Sequence, residues 1–220
     1  MVAPPSRGRR PRAVVFDLDE VLIDSRRAWQ YALEEAIAAT TGQRTDAGRL
    51  SVEYRRRPWR DALLVLTGDD VDRRRCAALC EEMFRRSALK RLLVHDGMGM
   101  ALDRLRGGQI EMGALSREPH RDALTQIEST GLDRFFSVLS PTAAGAAWDP
   151  AERFLECVQY LGARPTGCAF VSGDFQDLHA VQDAGGLAVE AAWAAAAPTG
   201  FPRIDHPDTL ERDIRQLFRG

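Results

Sequence analysis

Ala13-Val14-Val15-Phe16-Asp17-Leu18-Asp19 opens on four apolar residues and closes on two aspartates two positions apart. An unbroken apolar run of this length is what a strand buried on both faces of a parallel sheet presents. Comparable runs follow at Ile110 to Leu115, Phe135 to Leu139, Cys168 to Val171 and Leu187 to Val189, each succeeded by a helical pattern. Strands alternating with helices predict an α/β fold, a Rossmann-like parallel sheet. Read as members of one strand, Asp17 and Asp19 turn their carboxylates to the same side, roughly 7 Å apart at Cα. They stand at the carboxyl end of the first strand, where open α/β sheets bind ligands. Two close carboxylates repel unless one is protonated or a cation lies between them. Mg2+, a hard divalent ion, takes oxygen ligands of this kind, so a metal-dependent phosphoryl site is the expectation.

Between Ser25 and His95 the pattern becomes helix only. Trp29, Leu33 and Ile37 recur at spacing four, Trp59 to Leu66 follows, and Val71 to Leu93 reads as one long helix with Leu79, Met83 and Phe84 on one side. This predicts an all-helical insert over 26–95, with the sheet domain formed by 12–25 and 96–220 and a disordered tail over 1–11. The insert is net basic and the remainder net acidic, an arrangement suited to an anionic substrate held near a metal. Arg55-Arg56-Arg57, Arg73-Arg74-Arg75 and Arg85-Arg86 read as solvated helix faces.

Composition sets the outer bounds. The chain has 220 residues, 45% of them hydrophobic and 28% charged, with 30 basic residues against 32 acidic ones for a net charge of -2. That is an ordinary globular balance, not a collagen-like or disordered one. No stretch approaches the roughly 18 uninterrupted apolar residues that span a bilayer, and the start carries no secretory pattern; a cytoplasmic enzyme is expected. Cys76, Cys80, Cys157 and Cys168 form no CxxC pair and read as buried small residues. The arginine clusters lack interleaved aromatics, which disfavours a nucleic-acid partner. Lys90 is the only lysine.

Val15-Phe16-Asp17-Leu18-Asp19-Glu20-Val21-Leu22-Ile23-Asp24-Ser25 resembles the first motif of the haloacid dehalogenase-like superfamily. The insert directly after it is similar to the helical C1-type cap of the phosphatase branch, the phosphoglycolate phosphatase and β-phosphoglucomutase-like group, and Val94 to Gly97 to the return hinge. Gly113-Ala114-Leu115-Ser116 resembles the second motif, and Val171-Ser172-Gly173-Asp174, followed by Asp177 and Ala184-Gly185, the fourth. The resemblance implies a catalytic pair: Asp17 is the nucleophile that forms an aspartyl phosphate, and Asp19 is the acid that protonates the leaving oxygen and then deprotonates water. It further implies Mg2+ on Asp17, the Asp19 carbonyl and Asp174, Ser116 on a phosphoryl oxygen, and Asp177 as the second acid of the fourth motif.

The chain departs from that pattern in three places. Glu20 stands where glycine is usual. Asp174 and Asp177 are three apart, closer than the usual four or five. Gly145-Ala146-Ala147-Trp148-Asp149-Pro150 holds no lysine where the third motif has one. Arg117, beside Ser116, is a candidate phosphate-binding cation in its place; Arg153 and an arginine of the insert are others. The function implied is a Mg2+-dependent phosphomonoester hydrolase acting on a small phosphorylated metabolite, or a mutase sharing its nucleophile. Two other readings stand beside it: a degenerate relative that binds a ligand or partner without turnover, and a scaffold diverted to another biosynthetic reaction.

Overall fold

The computed structural model describes residues 10–46, 48–50, 53, 59–67, 72–142 and 147–219. In chain order these hold β1 (Ala13–Asp17), a π-helical turn (Leu18–Leu22), β2 (Ile23–Asp24), α1 (Arg26–Thr41), α2 (Trp59–Leu66), α3 (Arg73–Met83) and β3 (Leu93–Val94). They continue with α4 (Met98–Gly107), β4 (Glu111–Pro119), α5 (His120–Ser129), β5 (Val138–Thr142), α6 (Pro150–Tyr160) and β6 (Cys168–Ser172). α7 (Phe175–Asp183), β7 (Leu187–Ala191), β8 (Arg203–Ile204) and α8 (Leu210–Leu217) complete the chain. The chain divides into two compact units, Met1–Ile23 with Val94–Gly220, and Asp24–Leu93.

The larger unit is built on a six-stranded sheet of order β5-β4-β1-β6-β7-β8 whose pairings are parallel. Every residue of β1 is buried, as the apolar run requires of a strand covered on both faces. Ala13 and Val15 pack with Phe154, Cys157 and Val158 of α6 and with Leu178 and Val181 of α7. Gly113 lets α6 approach β4, since a Cβ there would overlap the Cys157 sulfur. Register then sets the site: Asp17 lies level with Leu115 of β4, and Phe16 with Val171 of β6. Ser116 and Ser172 therefore follow at the carboxyl ends of the two strands that flank β1.

β1 stops at Asp17. Leu18–Leu22 is a π-helical turn with Asp17 as its N-cap, so the expectation that Asp17 and Asp19 share a strand is corrected. The turn has a physical cause: the Asp17 carboxylate accepts the Asp19 backbone N–H at 3.0 Å, and such a local bond competes with continuation of the ladder.

In the smaller unit Trp29 is stacked between Trp59 (4.9 Å between ring centroids) and Phe84 (3.7 Å). Trp29, Leu33 and Ile37 are buried on α1 as their spacing predicts. The seam of the following helix differs from expectation: Leu79 and Met83 are half-buried, and Cys76, Cys80, Phe84 and Ala88 form the buried row. Residues four apart drift around a helix of 3.6 residues per turn. The wider π-helical turn at Phe84–Ala88 offsets that drift and keeps the row facing one way. Arg85 and Arg86 pair with Glu81 and Glu82 on the helix surface, whereas Arg55-Arg56-Arg57 lies outside the described residues. All four cysteines are buried, and none is in a disulfide. Among the described residues no helix is long and apolar enough to cross a membrane.

Candidate active site

The site is assembled at the carboxyl ends of β1, β4 and β6. Asp17, 6% exposed, accepts the Asp19 amide on Oδ1 and the Ser172 hydroxyl on Oδ2, at 3.0 and 3.3 Å. Ser172 also accepts the Asp174 N–H at 3.1 Å, so one hydroxyl ties the end of β1 to the loop after β6. Gly173, between them, is pressed against the loop after β7: a Cβ there would stand 2.5 Å from the Ala194 carbonyl carbon. Only glycine allows that approach.

Asp19 is held from β4. The Ser116 hydroxyl lies 3.0 Å from Asp19 Oδ2, and the Arg117 backbone N–H donates to the same oxygen at 3.0 Å. The Arg117 amide is open to Asp19 because it lies on the β1 side of β4, as the Glu111 amide does, and β1 ends at Asp17, level with Leu115; on the other side the β4–β5 register shifts between Ser116 and Pro119, an irregularity of the kind found beside active sites.

Arg117 is the cation of this cluster. Its Nη2 lies 2.7 Å from Asp177 Oδ2 and 3.4 Å from Asp174 Oδ2, and its charge also acts on Asp17 and Asp19. The other oxygen of Asp177 accepts the Trp148 indole N–H at 3.0 Å, and the Arg117 guanidinium carbon stands 5.1 Å from the Trp148 ring centroid. Arg153, the alternative cation, is turned to Glu152 and Glu156 at 2.9 and 2.8 Å. His179 pairs with Asp183 on the surface of α7.

Four aspartates around one guanidinium leave negative charge in excess. Burial raises the carboxyl of Asp17 above the usual range, the neighbouring Asp19 adds to the rise, and Arg117 opposes it. Burial likewise raises Asp19, against the donors from Arg117 and Ser116. Asp177 is pushed up to about 6, first by burial, with Arg117 again opposing.

The structure thus brings together Asp17, Asp19, Ser116, Arg117, Asp174 and Asp177, all expected from sequence. It adds Ser172 and Trp148, which sequence reasoning passed over. Ser172 stands two residues before Asp174 in the run that resembles the fourth motif, and Trp148 stands in the stretch that lacks the third-motif lysine.

A parallel sheet with an acidic cluster at the tip of its first strand, completed by donors from both neighbouring strands, defines the class: open α/β proteins whose ligand sites lie outside the carboxyl ends of the strands. The chain belongs to the haloacid dehalogenase-like hydrolases, whose family model matches residues 11–185. It is 26% identical over 228 residues, covering 98% of this chain and 95% of the other, to the phosphoglycolate phosphatase of Xylella fastidiosa (strain 9a5c). Its fold is shared by a haloacid dehalogenase-superfamily hydrolase, subfamily IA, variant 1, from Geobacter sulfurreducens, with a TM-score of 0.77, 19% identity and coverage of 95% and 99% of the two chains. It is shared equally by protein tyrosine kinase A of Mycobacterium tuberculosis, with a TM-score of 0.77, 18% identity and coverage of 94% and 99%. A fold with two such names does not settle a reaction.

Proposed function

We propose that the protein is a Mg2+-dependent phosphomonoester hydrolase that acts on a small phosphorylated metabolite through an aspartyl phosphate on Asp17. The observation that carries this reading is the pairing of two neighbouring carboxylates, Asp17 buried and Asp19 half-buried, with different surroundings. Asp17, bound by Ser172 and the Asp19 amide, is fixed in place as a nucleophile. Asp19, with its carboxyl raised by burial, is suited to hold and release a proton. The name of the Xylella relative supports the same assignment.

In the first half-reaction an Asp17 oxygen forms a bond to phosphorus, the bond from phosphorus to the leaving oxygen breaks, and the proton of Asp19 passes to that oxygen. In the second, water attacks phosphorus, Asp19 takes a proton from it, and the bond to Asp17 breaks, returning the carboxylate. Arg117 offers positive charge to the phosphoryl oxygens, and donors aimed at developing charge commonly supply the largest share of rate enhancement.

The donor set fits Mg2+. Among the described residues no three His, Cys, Asp or Glu side chains form a ready-made metal cage. Mg2+ is ordinarily held by only one or two carboxylates together with waters and substrate phosphate, and the surplus negative charge around Arg117 favours a cation. Asp17, Asp174 and the Asp19 carbonyl would hold it, and it would neutralise charge on the transferring group. The test is release of inorganic phosphate from a panel of phosphorylated metabolites with Mg2+ and with a chelator. Turnover that needs Mg2+ is expected, and absence of release from every member would refute the reading.

A further inference from the structure

We propose that Trp148 is a positioning residue that holds the Arg117 guanidinium ready for the phosphoryl group of the substrate, an inference that rests on the phosphatase reading above. Both ion pairs of Arg117 run through Nη2, to Asp177 and Asp174. The other N–H groups of its planar fork are those that can meet a phosphoryl oxygen. Their direction depends on what fixes the plane of the guanidinium. The Arg117 side chain is 37% exposed, and the Asp174 side chain 46%. Exposed ion pairs of this kind are weak and mobile.

Asp177 is the fixed partner, its side chain 3% exposed. Trp148 acts on both members of that pair. Its indole N–H donates to Asp177 Oδ1, leaving Oδ2 for Arg117, and its ring lies within cation–π range of the guanidinium. One side chain thereby sets the carboxylate that anchors the arginine and the face against which the arginine rests. A tryptophan that served packing alone would not need its N–H on a buried carboxylate shared with the site's cation. Trp148 sits just before α6, whose N-cap Asp149 and first residue Pro150 fix the direction of the chain there.

The test is a double-mutant cycle on the full chain, read as affinity for inorganic phosphate by calorimetry in Mg2+, with Trp148→Ala, Trp148→Phe, Arg117→Ala and the double variants. Trp148→Ala is expected to weaken phosphate about tenfold, and Trp148→Phe, which keeps a ring but loses the N–H, by an intermediate factor. In the Arg117→Ala background removal of Trp148 should change affinity less than about twofold, because its effect is exerted through that arginine. An equal further loss in that background, or unchanged affinity in a folded Trp148→Ala or Trp148→Phe protein, overturns the proposal while the hydrolase reading stands. A wild-type protein that neither binds phosphate nor releases it from any substrate overturns both. Should Trp148→Ala fail to fold, Trp148→Phe carries the cycle.

Discussion

The Arg117 amide donates to Asp19 Oδ2 at 3.0 Å, and the bond exists because β1 ends at Asp17 while β4 runs on past it. The Glu111 amide bonds the Arg12 carbonyl on the β1 side, and every second amide of β4 faces the same way. Arg117, two residues beyond the last pair Asp17–Leu115, therefore meets the Asp19 side chain where a longer β1 would have offered a carbonyl. The end of one strand thus leaves a donor for the proposed acid beside the arginine of the site.

Replacing Asp19 by Asn separates proton transfer from architecture. An amide oxygen in the Oδ2 position still accepts from Ser116 and Arg117, so the melting temperature is expected to stay within a few degrees of wild type. Turnover should fall by about 10²- to 10⁴-fold, the usual contribution of a general acid or base. Phosphate release and thermal unfolding measured on the same preparation decide it; loss of activity in step with loss of fold would count against the assignment.

Gly173→Ala is expected to damage both fold and site. The new methyl group meets the Ala194 backbone, and overpacking of this kind costs typically about 1–3 kcal/mol. Relief must come from moving either the loop after β7 or the Ser172–Asp174 segment, which holds Asp17 through Ser172. Urea unfolding should report the stability loss and a phosphatase assay a parallel fall in turnover.

Glu190 gives a pH prediction. It is 1% exposed; burial acts to raise its carboxyl, but the Thr199 hydroxyl and amide, together with Arg203, hold it below the usual value of 4.5. A depressed carboxyl contributes stability above its unfolded pKa and loses it as pH falls through the folded one. Glu190→Gln should therefore be less stable than wild type by about 1–3 kcal/mol near pH 7, and the gap should narrow below roughly pH 4.5. Urea titrations of both proteins at neutral and acid pH test it.

The cysteines should be silent in the native protein. All four are buried, and burial pushes the thiols of Cys157 and Cys168 up to about 12, so little thiolate forms at ordinary pH. A disulfide reagent at pH 8 is expected to label none of the four until denaturant is added. Rapid labelling of Cys157 or Cys168 in the folded state would contradict the packing of α6 on the sheet.

The features legible in the sequence were those carried by runs and local spacing. The apolar Ala13–Phe16 stretch marks a strand covered on both faces, and aspartates that follow such a strand mark a site at the tip of a sheet. Asp19 was misplaced because Leu18 continues the apolar alternation, while the turn is decided by a bond from its own amide to the Asp17 side chain. Cys76, Cys80 and Phe84 are buried as the sequence suggests, but Leu79 and Met83 were set on the same seam because they are strongly hydrophobic, and the π-helical turn that keeps the row on the cysteine side leaves no compositional mark. β8 has two residues, too few to show a period. Trp148 carries no sequence signal for its place, since its partners Asp177 and Arg117 lie 29 and 31 positions away and meet it only once α6 has packed on the sheet.

The central claim is that Asp17 becomes phosphorylated. Rapid quenching of the enzyme with a turned-over phosphomonoester and Mg2+, followed by mass analysis of the peptide that contains residue 17, tests it most directly. A transient gain of one phosphoryl group on Asp17, absent from Asp17→Asn together with turnover, is the predicted result. Turnover that persists in Asp17→Asn, or that proceeds with the phosphoryl group on another residue, would contradict the account.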